Sequence, residues 1–173
     1  GPTLGAVSLD KSLHAGLVGF LLVALFMIVL YRLPGVISIL ALILYAALSS
    51  AVFKLIPVTL SLAGIAGFIL SLGIAVDANV LIFERLKEEW KTGKGTLQAL
   101  EEAFRRAWPS IRDGHATVLI SCAVLYWFSS SIIRGFALTL AIGTILSLFT
   151  AVVSSRTMLR YVLGTRLGQL EWW

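Results

Sequence analysis

One carboxylate, Asp77, stands alone in the run from Val58 to Phe83, which holds no other charged residue. Keeping an ionised carboxylate near the centre of a bilayer costs roughly 2.5–3.5 kcal/mol on insertion scales. A membrane chain that retains such a group uses it to move a proton or an ion, or to fix a buried polar contact. Alternation between apolar and polar surroundings would let the carboxylate take up a proton on one side and release it on the other. That chemistry needs a pliable backbone and a polar route nearby. Gly73, one turn earlier on the same face, offers close approach or bending, and Asn79 offers a hydrogen-bond donor. Glu84 and Arg85 mark the end of the apolar run, where they pair with each other or with neighbours. Two His residues, no HExxH and a single aspartate in the apolar segments argue against an enzyme, an intramembrane protease in particular.

Membrane elements must hold these residues. Of 173 residues, 58% are hydrophobic and 13% charged, with a mean hydropathy of +0.95. A soluble domain typically carries about 25% charged residues. The net charge of +5 does not point to nucleic acid, because no loop interleaves aromatic with basic residues. One cysteine, Cys122, excludes an intramolecular disulfide. No cleavable signal peptide opens the chain. Gly1-Pro2 reads either as native sequence or as the scar of a protease site.

A span needs about 20 mostly apolar residues. Five candidates emerge, at about 15–31, 36–53, 58–84, 114–131 and 135–155, within one transmembrane domain. Arg32-Leu33-Pro34-Gly35 separates the first two, and Pro34 cannot continue a helix cleanly. Pro57 is suited to the first turn of the third. With the N-terminus outside, Arg32, then Arg85 through Arg112, then Arg156, Arg160 and Arg166 become cytoplasmic. Eleven of the 14 basic residues then lie inside, leaving Lys11, Lys54 and Arg134 outside. The expected fold is an all-α membrane protein with five spans, N-out and C-in.

Between the third and fourth spans, about 85–113, Leu97, Leu100, Phe104, Trp108 and Ile111 recur at helical spacing. This is an amphipathic helix, either lying on the cytoplasmic membrane surface or packed on the ends of the bundle. Small residues repeat every four positions in two spans. Ala63, Gly67, Ser71 and Ala75 do so in the third; Gly135, Thr139, Gly143, Ser147, Ala151 and Ser155 do so in the fifth. Such spacing lets helix backbones approach closely, so both spans should have close neighbours, each other or different ones. At about 100° per residue, Asp77 lies some 160° from Ala75 and shares its face with Ala66, Leu70, Gly73 and Glu84. No Lys, Arg or His lies inside any span to pair with it. The carboxylate should therefore face a second bundle, from another chain or from sequence beyond these residues.

The text around Asp77, GIAVDANVLIFERLKEE, closely resembles the signature of the SecD family of the bacterial protein-export machinery. Further on, Ser110-Ile111-Arg112-Asp113, Arg134 through Leu140 and Ser147 through Ala151 resemble the later signatures of that family, as does the opening Gly1 through Gly5. The resemblance implies half of an RND-like transporter, here its last five spans, without the first span and the extracytoplasmic domain. It implies a matching SecF or SecF-like half, the SecYEG channel, a translocating polypeptide and membrane lipid as partners, in the bacterial cytoplasmic (inner) membrane. Asp77 would relay protons as the coupling ion, with no other cofactor and no metal.

Departures from the family pattern fall at Asp113-Gly114-His115, where an imidazole replaces the usual amide, and at Ser129-Ser130-Ser131, where a Gly-rich turn is usual. His115 either titrates there or forms the hydrogen bonds of the amide it replaces. Two other functions share the architecture: an RND-type exporter of small molecules, and a non-transporting scaffold for the channel.

Overall fold

The computed structural model describes residues 2–164; Arg166 and the Glu171-Trp172-Trp173 end lie outside the described residues. Helix α1 runs Pro2–Leu55, α2 Leu62–Lys91, α3 Thr96–Phe128 and α4 Ser131–Phe149. A π-helical segment, Thr150–Ser155, then leads without a break into α5, Arg156–Leu163. Among the described residues there is no strand. Three helical stretches, Thr3–Leu55, Leu62–Lys91 and Ser131–Leu163, are long and apolar enough to cross a membrane.

Helix α1 is two arms joined at a sharp break. Arg32 adopts φ 49° and ψ −114°, and Pro34 follows it. Residues eight apart in a straight helix are separated by about 12 Å. Here a Cβ on Gly35 would lie 2.6 Å from the Met27 carbonyl carbon, so the chain folds back on itself. Met27 and Tyr31 of the first arm join Ile37 of the second in one apolar cluster, and Phe20 packs with Leu42 and Tyr45 in another. The arms are antiparallel.

Helix α2 starts at Leu62, four residues later than the apolar run suggests. Ser61 is responsible: its extended backbone and its Oγ, which accepts from the Gly64 amide at 3.1 Å, make it the N-cap. Pro57 accordingly lies in the preceding turn and not in the helix. At the other end α2 passes Glu84 and continues to Lys91, because nothing breaks it before Thr92-Gly93, where Gly93 turns the chain at φ +82°.

The amphipathic stretch is not an element of its own. It divides among the end of α2, the turn at 92–95 and the first half of α3, which runs through Pro109 into the apolar second half. Leu100, Ala103, Phe104, Ala107 and Ile111 bury against Phe83 and Leu86 of α2 and Leu159 and Leu163 of α5. Leu97 and Trp108 stay outside that interface, 47% and 39% exposed. Of the two placements the sequence left open, the packed one is found.

Helices α2 and α4 form the central seam, and they run parallel. Thr139 Oγ1 donates to the Gly64 carbonyl at 2.8 Å, Ser71 stands against Gly143, and Ser155 reaches Asn79 further along in the same direction. A Cβ on Gly67 would come within 2.6 Å of the Phe136 carbonyl oxygen. Only glycine leaves the room for two backbones to approach this closely.

Candidate functional site

Two faces of α2 separate the candidate residues. Toward the seam point Gly67, Ser71, Ala75, Ala78, Asn79 and Ile82, all buried. On the opposite side Leu62, Ala66, Leu70, Gly73, Asp77 and Glu84 are exposed, and a Cβ on Gly73 would meet nothing within 4 Å. The division follows from helical geometry, since Asp77 and Asn79 are two residues, about 200°, apart.

Asp77 forms no hydrogen bond or ion pair with the other described residues. Its face is bordered on one side by α1, where Leu72 and Val76 pack near Phe20. An apolar hollow of about 170 Å³ lies on that border, lined by Gly16, Gly19, Phe20 and Gly73 among others. On the other side Ile74 joins Val118 of α3 around Cys122 and Leu140. The carboxylate therefore stands in the middle of an open face with a helix on either flank.

Asn79 turns the other way. Its Oδ1 accepts from Ser155 Oγ at 2.9 Å, both residues being buried, so it serves as an acceptor toward the π segment and not as a donor beside Asp77. His115 is buried too. Its Nδ1 donates to the Ile111 carbonyl at 2.8 Å, and Nε2 lies 2.9 Å from Ser147 Oγ, so both ring nitrogens are engaged. Asp113 is on the surface, 2.9 Å from Arg112 Nε. Glu84 accepts from the Tyr31 hydroxyl at 2.7 Å, while Arg85 pairs with Glu88 at 3.0 Å. Gly143, Ser147 and Ala151 of the fifth-span stripe are buried, as are Gly67, Ser71 and Ala75. The structure thus leaves Asp77 and Gly73 outside, with Glu84 further along the same face and held by Tyr31, gathers Asn79, His115, Ser147 and Ser155 within, and sets Asp113 apart on the surface.

Several polar residues that the sequence does not single out carry the interior. The Tyr45 hydroxyl, at 0% exposure, is hydrogen-bonded to Ser71 at the α2–α4 seam. Glu89 is buried at the end of α2 and hydrogen-bonded to both Lys94 and Arg106. Those two contacts, Lys94 first, hold its carboxyl below the usual range. Nearby, Glu101 pairs with Arg156, whose guanidinium also lies 5.5 Å from the Phe104 ring centre. The signal for Glu89 was its spacing from Ile82 and Leu86, which puts it on the buried side of α2. Among the described residues no cluster of His, Cys, Asp or Glu could hold a metal ion.

Chemically, an exposed carboxylate amid apolar side chains can carry a proton.

Residues 1–164 match the family model described as protein export membrane protein SecD/SecF, C-terminal. The protein translocase subunit SecD of Thermobaculum terrenum is 60% identical over 168 residues, covering 95% of this chain and 33% of that protein. That of Synechocystis is 56% identical over 159 residues, covering 92% and 34%. The crystal structure of SecDF, a translocon-associated membrane protein from Thermus thermophilus, superposes with a TM-score of 0.93 at 39% identity, covering 95% of this chain and 23% of that one. SecDF in its super-membrane-facing form gives 0.88 at the same identity, covering 95% and 22%. The chain spans about a third of the length of these curated relatives.

Proposed function

The chain belongs to the SecD/SecF family of protein export membrane proteins, as a SecD-type C-terminal half, and on that premise we propose that it helps drive polypeptide export with the proton gradient. Asp77 is the proton-relay residue. The observation that carries this reading is its place: exposed, unpaired, and on the face of α2 turned away from the α4 seam. An intramembrane carboxylate pairs or lines an aqueous cavity. The face around Asp77 is therefore the surface that receives a SecF-like half, and the proton path runs between the two halves.

The chain crosses the bacterial inner membrane five times with its N-terminus outside. Support comes from the antiparallel arms of α1, which count as two crossings, and from the parallel course of α2 and α4, which needs α3 as the return between them. In that orientation the ion pairs of Glu89 and Glu101 lie on the cytoplasmic side, in keeping with the basic residues gathered there. The complete protein acts beside the SecYEG channel on the emerging polypeptide. It is a transport subunit and not an enzyme, with protons as its only coupling species.

The test is export by membrane vesicles carrying the complete complex, wild type against Asp77→Asn, with and without a proton gradient. Stimulation by the gradient should vanish in the variant while the complex still assembles. Equal stimulation in both would leave Asp77 a structural role and put the proton path elsewhere.

A further inference from the structure

Two residues beyond Asp77 the chain makes a buried polar contact with another helix. Asn79, 3% exposed, accepts from Ser155, 0% exposed, and Ser155 is the last residue of the π segment. A π turn holds about one residue more than an α turn and is rare except as a single turn, often at a functional site. At its start, Thr150 Oγ1 donates to the Ser147 carbonyl at 3.1 Å, and Ser147 in turn faces His115. At its end the next residue, Arg156, pairs with Glu101 and lies over Phe104 of α3.

The register of the seam changes over this segment. Gly64 meets Thr139, an offset of 75, whereas Asn79 meets Ser155, an offset of 76. Helix α4 and its π segment thus spend one more residue than α2 between those two hydrogen bonds, which is the residue that a π turn holds beyond an α turn. Such a turn persists only while something holds it. The Asn79–Ser155 hydrogen bond is placed to do so.

We infer that Asn79 and Ser155 are positioning residues that couple the Asp77 turn of α2 to the Glu101–Arg156 ion pair through the π segment. The inference rests on the relay reading of Asp77. Asp77 and Asn79 are on opposite sides of one helical turn, so a rotation that brings Asp77 toward a partner half draws Asn79 away from Ser155. Released, the π turn closes toward an α turn, and everything after it rotates by roughly 100° per residue expelled. Arg156 is the first residue to move, and the rotation takes it off Glu101. A protonation change on the open face is thereby read at the opposite side of the helix and delivered to α3.

The experiment uses the complete complex in membrane vesicles, freed of native cysteines by Cys122→Ser and equivalent changes elsewhere. Spin labels go on Leu97→Cys of α3 and Tyr161→Cys of α5, both exposed. Asp77→Asn, which mimics the protonated carboxyl, should displace the label-to-label distance by on the order of 5 Å, about one helical pitch. Ser155→Ala should abolish the displacement that Asp77→Asn causes, and Ser155→Thr, which keeps the hydroxyl, should restore it. Asn79→Ala is the second variant, in case Ser155→Ala disturbs folding. A displacement that survives both alanine variants overturns the link and leaves the relay reading standing, as does no displacement in a variant that has lost gradient-driven export. Full gradient-driven export by Asp77→Asn overturns the relay reading itself, and the link with it.

Discussion

Ser71 and Gly143 face each other across two parallel helices so closely that a methyl group on Gly143 would lie 2.5 Å from the Ser71 Cβ. The Tyr45 hydroxyl closes the third side, 2.7 Å from the same point. Neither Cβ can rotate away, so the backbones themselves would have to part. Gly143→Ala should therefore destabilise the bundle by about 1–3 kcal/mol, the usual range for overpacking. Gly73→Ala, in open space on the other face, should stay within about 0.5 kcal/mol of wild type. Thermal unfolding of the two variants in detergent separates these outcomes; equal stability would mean the seam is looser than its geometry.

The open face predicts the opposite pattern for assembly. Gly73→Trp adds bulk beside Asp77 without touching the seam, so the variant should unfold like wild type. If the face receives a partner half, it should nonetheless fail to hold SecF. Co-purification of the two halves reads this directly, and retained association at wild-type levels would move the interface elsewhere.

Glu89 predicts an acid-sensitive joint between α2 and α3. Its carboxyl is held below the usual range by Lys94 and Arg106, so in the folded state it stays ionised at lower pH than in the unfolded chain. The stabilisation is complete above the ordinary carboxylate range and is lost as pH falls through the depressed folded value. Unfolding temperature should therefore fall with acidification below about pH 4. Glu89→Gln should lower it at neutral pH and flatten that slope. An unchanged slope in the variant would assign the acid response to other carboxylates.

Arg32 is the described non-glycine residue with a left-handed φ, at 49°. Strain of this kind costs of order 1–3 kcal/mol when the surrounding structure enforces it. Arg32→Gly should be neutral or stabilising by about 1 kcal/mol, and Arg32→Val destabilising by at least as much. Chemical denaturation of both checks the sign; destabilisation by glycine would show that the guanidinium matters more than the backbone.

The break after Tyr31 and the four-residue period of small side chains were legible in the sequence, because proline and glycine act locally and helical periodicity needs no partner. The exposed company of Asp77 was legible for the same reason: one period assigns Ala66, Leu70, Gly73 and Glu84 to its face. What stayed hidden depends on contacts far apart in the chain. Nothing near Asn79 announces Ser155, 76 residues on, and nothing in Thr150–Ser155 announces a π turn. Ser61 displaced Pro57 as the start of α2 because a hydroxyl that caps an amide outweighs a ring that merely tolerates the position. Leu100, Phe104 and Ile111 of the amphipathic run are buried as its spacing implied, but Ala103 and Ala107 join them where Leu97 and Trp108 do not. Small residues let α3 lie close against α2, and a hydropathy pattern undervalues them.

The offset of 72 residues between Ser71 and Gly143 also constrains how the protein is made. A ribosome adding roughly 5–20 residues per second needs about 4–14 s to deliver Gly143 after Ser71. Throughout that interval α2 is in place while the helix that will cover its small-residue groove does not yet exist. Tyr45, made earlier, is available to hydrogen-bond Ser71 before α4 exists, which would shelter that hydroxyl from lipid in the interval. The tyrosine is in this sense a placeholder of synthesis, keeping the seat that α4 later takes beside it.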